Sequence, residues 1–347
     1  MVTRESLSER RQQILRIVVG EYVSTAVPVS SDVVTRRQVL KVSPATVRND
    51  MAELETEGFI RRPHVSAGGM PSDKGYRYYV EYLAEPEQLP GPVKDQIIQQ
   101  LRAADRDMDS WIEMATSLLA KLANSVAIIT FPRAPEPRLQ HVELVYLQDL
   151  LALVVLVVKQ TRVRKELVTL LQPVSREELQ HASARLSALY EGRTWHEIKS
   201  SGAEVSPLEY LVTEQVASLM RDEELALNEG YVEGLRMLLE QPEFADQPRV
   251  AKLAGLLESK RIQALTTALA PDGDEPRVLI GEENEEEALK SFSLVLGRYG
   301  LPGEATGTLG IIGPTRLHYE RAVAGVRYFS GVLRELLGQV HGRSGLG

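Results

Sequence analysis

The chain has 347 residues, 43% hydrophobic and 25% charged, with 40 Lys+Arg against 48 Asp+Glu and a formal net charge of -8. That length predicts two or three domains, and the composition is that of a folded globular protein. No Cys is present, which excludes disulfides, thiolate-bound zinc and Cys nucleophiles.

The N-terminal "MVTRESLSERRQQ" is too polar for a signal peptide. "SLSERRQQILRIVVGEYV" predicts a helix with a capping box from Ser6 to Glu9 and an apolar stripe of Ile14, Ile17, Val18 and Tyr22. A turn at Pro28 precedes a second short helix capped by Ser30 or Ser31, and "KV" is a brief break. "SPATVRNDMAEL" then opens a third helix, with Ser43 as N-cap, Pro44 at the first helical position and Gly58 as terminator. "FIRRP" is a short strand, "HVSAGGM" a wing tip, and "PSDKGYRYYVEYL" a helix with Tyr76, Tyr79, Val80 and Leu83 on one face. "EPEQLPGP", residues 85–92, has the composition of a linker.

Beyond the linker, one long helix is expected from about Val93 to Asn124, followed by the strand "SVAIITFP". "LQHVELVYL", "LLALVVLVV" and "RVRKELVTL" form a three-stranded meander. The middle strand, the longest apolar run, is far shorter than the roughly 20 residues a membrane helix needs, and its Val content favours a strand buried on both faces. A cytoplasmic protein without a membrane partner is expected. Residues 175–225 are mostly helical, and "NEGYVEGLRMLLEQPEF" and "PRVAKLAGLLESKRIQALTTAL" add two more helices. Strands return in "RVLIGEEN", "SFSLVLGRYG" and "GTLGIIGP", and a final helix begins near Thr315.

The first eighty residues have the order of a winged helix-turn-helix, and they carry the charge such a module needs. They hold 12 Lys+Arg and 9 Asp+Glu, a net of +3, which leaves -11 for the remainder. A mildly basic head on an acidic body places double-stranded DNA at the head. Val47, Met51 and Leu54 fall on the inward stripe of the third helix, and the opposite face is small and amide-bearing. There Asn49 suits the N6 and N7 atoms of adenine and Arg48 a guanine or phosphate. Ser43 and Thr46, with the free N–H groups of the first turn, suit phosphates. Arg61, Arg62 and His64 at the root of the wing suit the backbone or minor groove.

"SPATVRNDMAELETEGFI" followed by "PHVSAGGMPSDKGYRYYVEYL" resembles the N-terminal signature of the HrcA family, bacterial heat-inducible transcription repressors. "NEGYVEGLRMLLEQPEF", "VLIGEEN" and "GTLGIIGPTRLHYERAV" follow in the family's order, so the resemblance spans nearly the whole chain. It implies an α+β multidomain protein: a winged helix domain at 1–84, a linker at 85–92, a GAF-like α/β domain at 93–137 and 226–347, and an α+β dimerising domain inserted at 138–225. It implies a repressor of chaperone operons that binds an inverted-repeat operator as a homodimer and is kept active by the GroE chaperonin. The DNA-reading role falls on Ser43, Thr46, Arg48 and Asn49, and the wing role on His64, Ser66 and Gly68. The family's wing usually reads Ser-Ala-Gly-Arg; here the fourth place is Gly69, so a DNA contact is expected to be missing.

Two other classes compete. One is a metabolite-sensing winged-helix regulator with a ligand-binding GAF-like domain; the other is an enzyme with an accessory DNA-binding head. "GEENEEE", residues 281–287, suits a hard cation or the acidic first turn of a helix, and the helix is preferred. "GTLGIIGP" matches neither the dinucleotide fingerprint nor the P-loop, and His318 has only Glu320 nearby as an acid-base partner. No catalytic, metal or cofactor residues are assigned. Among the tyrosines, 76 and 79 are expected in the core, while 78 and 82 share a face that suits base stacking or packing on the second domain.

Overall fold

The computed structural model describes residues 7–37, 42–64, 67–85, 87–104, 107–134, 136–158, 163–225, 229–244, 254–257, 261–300 and 305–340. Helix α1 (Glu9–Thr25), α2 (Ser31–Arg36) and α3 (Pro44–Thr56) precede a hairpin of β1 (Ile60–Arg61) and β2 (Met70–Pro71). Ser6 lies outside the described residues; α1 begins after Ser8, whose side chain makes no capping bond. Ile14, Leu15, Val18 and Val19 are fully buried in α1, and Ile17 and Tyr22 only partly. The stripe is displaced from the expected one because α3 and the wing both cover this helix. Ser30 caps α2, and Gly58, at φ +78, ends α3. The wing has a third rung: Val29 exchanges two backbone hydrogen bonds with Gly69, at 2.9 and 2.8 Å.

Helix α4 (Asp73–Tyr78) runs on as a π-helix over Tyr79–Leu83. The linker that follows is pinned rather than loose: Leu89 is buried in the same apolar cluster as the helices on either side. The expected long helix is two, α5 (Gly91–Ala103) and α6 (Met108–Ala123), because the Asp107 carboxylate accepts from the Ser110 N–H at 2.8 Å and caps a new helix.

Strand β3 (Val126–Thr130) is followed by the meander β4 (Leu139–Gln148), β5 (Leu151–Val158) and β6 (Val163–Thr169). Helices α7 (Arg176–Tyr190), α8 (Trp195–Lys199) and α9 (Pro207–Leu225) complete this unit, which has its own apolar cluster around Val142, Val154, Leu156, Leu186 and Met220. Strand β5 is not buried on both faces. Its burial alternates along its length, because among the described residues helices cover one side of the meander only.

The chain then returns to the β3 sheet. "NEGYVEGLRMLLEQPEF" is not one helix: β7 (Gly230–Glu233) pairs with β3, and Gly234 at φ +91 turns into α10 (Leu235–Leu239). Helix α11 (Arg261–Leu269), β8 (Arg277–Ile280), β9 (Phe292–Gly300), β10 (Thr306–Pro314) and α12 (Tyr319–Val340) finish the body. The five strands are antiparallel in the order β7-β3-β10-β9-β8. Ala127, Ile129, Leu309 and Ile311 pack on one face in a cluster shared with α6 and α12, and Val126, Ile128, Leu294 and Ile312 pack on the other with α10 and α11. Among the described residues, no helix is long and apolar enough to cross a membrane.

Candidate nucleic-acid interface

Helix α3 is held by one face and open on the other. Val47, Met51 and Leu54 are buried, while Ser43, Ala45, Arg48, Asn49 and Ala52 are exposed and Thr46 is half-buried. Ser43 accepts from the Thr46 N–H at 3.2 Å and bonds its hydroxyl at 3.0 Å. No acidic residue stands in the first turn, so the positive end of the helix dipole faces outward uncompensated. Arg48 and Asn49 are exposed, and neither has a side-chain partner among the described residues. Two turns of helix thus offer N–H groups, two hydroxyls, a guanidinium and an amide with no bulky side chain between them.

Asp50, on the inward side of α3, belongs to this arrangement although no motif points to it. It is 3% exposed and accepts from Arg10 at 2.6 and 3.0 Å. Arg11 stands 3.9 Å away and pairs with Glu53 and, at 2.8 Å, with Glu57. Two arginines of α1 therefore clamp α3 along its length and set the angle at which its outer face is presented. The available sequence signal is a carboxylate between Val47 and Leu54 on the buried stripe, a position that needs a cation.

The wing residues separate. His64 is exposed, and its carbonyl closes the turn by accepting from Ala67 N–H at 2.9 Å. Ser66 lies outside the described residues. Gly68 is a packing glycine: a Cβ there would lie 2.5 Å from the backbone of Val29. Arg62 stands 3.4 Å from Glu55 of α3. Arg61 is exposed and borders a cleft that Tyr22, Lys74, Glu243 and Arg316 also line. Gly69 is buried in the wing sheet, and a Cβ there would approach Ile60 Cδ1 at 2.9 Å and Met51 Cε at 3.2 Å. The expectation that this position forms part of a DNA-facing tip is therefore corrected: its side-chain direction is inward.

The tyrosines divide between the head and the body. Tyr78 packs on Phe59 inside the head, with ring centroids 5.3 Å apart, and Tyr82 packs on Tyr78. Tyr76 and Tyr79 lie in the core as expected: Tyr76, 1% exposed, packs on Tyr319 of the body, and Tyr79 packs against the same cluster and meets Glu320. Glu320 is thereby occupied by the Tyr79 hydroxyl, which burial and this carboxylate hold protonated. The "GEENEEE" stretch forms two 3-10 turns rather than a helix start, and no group of three or more His, Asp or Glu among the described residues is placed to hold a metal.

Residues 32–74, which span α2, α3 and the wing, match the DeoR-like helix-turn-helix domain, and residues 109–323 match the HrcA protein C terminal domain. The chain is similar to the heat-inducible transcription repressor HrcA of Dehalococcoides mccartyi, at 39% identity over 97% of this chain and 98% of that one. The corresponding repressor of Thermomicrobium roseum is 41% identical over 97% of both chains. A crystal structure of a hypothetical protein shares the fold, with a TM-score of 0.70 at 22% identity, covering 98% of this chain and all of that one. On these matches the chain belongs to the HrcA family of heat-inducible transcription repressors.

Proposed function

We propose that the protein represses transcription by docking α3 of two heads into successive major grooves of an inverted-repeat operator. The observation that carries this reading is the open face of α3, where Arg48 and Asn49 are exposed while the opposite stripe is sealed. Ser43 and Thr46 meet phosphates, Arg48 and Asn49 meet base edges, and Arg62 and His64 flank the duplex. Gly68 shapes the wing, Ser66 keeps the wing role that the family resemblance implies, and Arg61 contributes from the cleft side rather than from the DNA face.

Dimerisation belongs to the inserted unit, about 138–225, carried on a GAF-like body of about 93–137 and 226–347. The uncovered face of its meander supports this. Val145, Leu153 and Leu167 lie side by side across the three strands, and Val145 and Leu167 are 39% and 59% exposed. One rung away, Glu143 and Lys165 flank Val155, so two such faces packed about a two-fold axis parallel to the strands bring opposite charges together. The protein works without a catalytic centre, in the cytoplasm, and the GroE chaperonin maintains its activity; the last point rests on the family resemblance alone. A footprint on chaperone promoters tests the reading. Protection of two half-sites related by a dyad is expected, and protection of a single half-site, or of none, overturns it.

A further inference from the structure

The head is not tethered to the body; it is welded to it. Arg77 of α4 is 17% exposed at its side chain, donates to the Val278 carbonyl at 2.8 Å and grips the Glu283 carboxylate with two nitrogens. Arg316 of the body is 14% exposed and reaches the other way. It donates to the Val23 carbonyl, near the C-terminal end of α1, at 3.1 Å, while Glu243 and Gln241 hold its remaining nitrogens. Asp73 accepts from the Glu282 backbone N–H at 3.0 Å. Gly281, at φ +54, lies so close that a Cβ there would come within 1.9 Å of the Asp73 carboxylate. Between these polar contacts Tyr76 packs on Tyr319 with ring centroids 5.7 Å apart, and a single apolar cluster runs from α1 through to α12.

Such a seam determines more than stability. On a flexible tether, two heads reach half-sites over a range of separations. On a fixed seam, each base pair added between half-sites moves one of them by about 3.4 Å and turns it by about 34° away from its head. We propose that this seam, through Arg77, Arg316 and the Asp73–Gly281 contact, sets the half-site spacing that the repressor accepts. The seam residues touch no DNA; they are positioning residues for specificity. The inference rests on the dimeric reading above.

The test uses the full-length chain and a series of operator duplexes whose half-sites are unchanged and whose spacer is shortened or lengthened by one and two base pairs. The unaltered protein is expected to lose about tenfold or more in affinity at a one-base-pair change. Arg77→Ala combined with Arg316→Ala is expected to bind all spacers within about threefold of one another, with its preference for the half-site sequence over random duplex intact. Arg77→Lys alone keeps a charge at the seam and is expected to retain part of the spacing preference. A double variant that binds the operator yet keeps the full spacing profile overturns the proposal, as does an unaltered protein indifferent to spacing. A single half-site that binds as tightly as the palindrome overturns the dimeric reading and this inference together. Should the double variant fail to fold, hydrogen exchange on the unaltered protein decides. The peptides covering 73–79 and 278–286 are expected to keep their protection when operator is added, and loss of protection there means that the head leaves the body to bind.

Discussion

Asn49→Ala separates reading from folding more cleanly than any other change in the head. Asn49 is exposed in the second turn of α3, and its side chain has no partner among the described residues. Alanine has the higher helix propensity, so the variant is expected to melt no lower than the parent. On DNA, a bidentate amide–adenine contact contributes about 1–3 kcal/mol of discrimination. The proposed dimer would carry two copies in separate half-sites, whose effects add, so operator affinity is expected to fall by about 2–6 kcal/mol, or roughly thirtyfold at the least. Binding to random duplex is a phosphate effect and is expected to stay within about twofold. Fluorescence anisotropy on operator and random duplexes at one salt concentration measures both. Equal losses on the two duplexes would refute base reading by Asn49, and a lowered melting point would refute the claim that its side chain is unused in the fold.

Three further outcomes are expected. Arg62→Ala shrinks the slope of log affinity against log salt by about one unit per head, whereas Arg61→Ala, at the cleft, leaves it unchanged; a salt titration of both variants reverses these assignments if the slopes come out the other way. Gly69→Arg, which restores the family's usual residue, costs the head about 2–3 kcal/mol because its side chain starts inward against Ile60 and Met51, read by denaturant unfolding. A variant as stable as the parent shows instead that the wing re-threads to turn the arginine outward. Leu167→Glu on the uncovered face of the meander is expected to sediment as a monomer with its secondary structure intact, since Leu167 is 59% exposed in the single chain. A dimer that persists moves the interface elsewhere.

Local pattern was enough to place α3. A Ser-Pro start, a 3.6-residue apolar period through Val47, Met51 and Leu54, and a terminating Gly58 all act within a few residues of one another, so sequence alone determined α3 and its outward face. The same locality explains the two-helix preamble, the hairpin and the antiparallel meander. What escaped depends on partners far away in the chain. Gly230–Glu233 reads as the start of a helix until β3, about a hundred residues earlier, offers it a strand to pair with. Tyr76 and Tyr78 both sit on apolar faces of one short helix, and only the position of Tyr319 decides which of them looks toward the body. Gly69 follows an exposed tip in sequence, yet its pairing with Val29 turns it inward. Asp50 is legible as a buried carboxylate, but its cations come from α1, forty residues away. The linker composition of residues 85–92 predicts freedom that the tertiary structure removes, because Arg77 meets Glu283 and Arg316 meets Val23 across separations of 206 and 293 residues. Side-chain periodicity reports which face of an element is apolar; which element covers that face is decided only when the whole chain closes on itself.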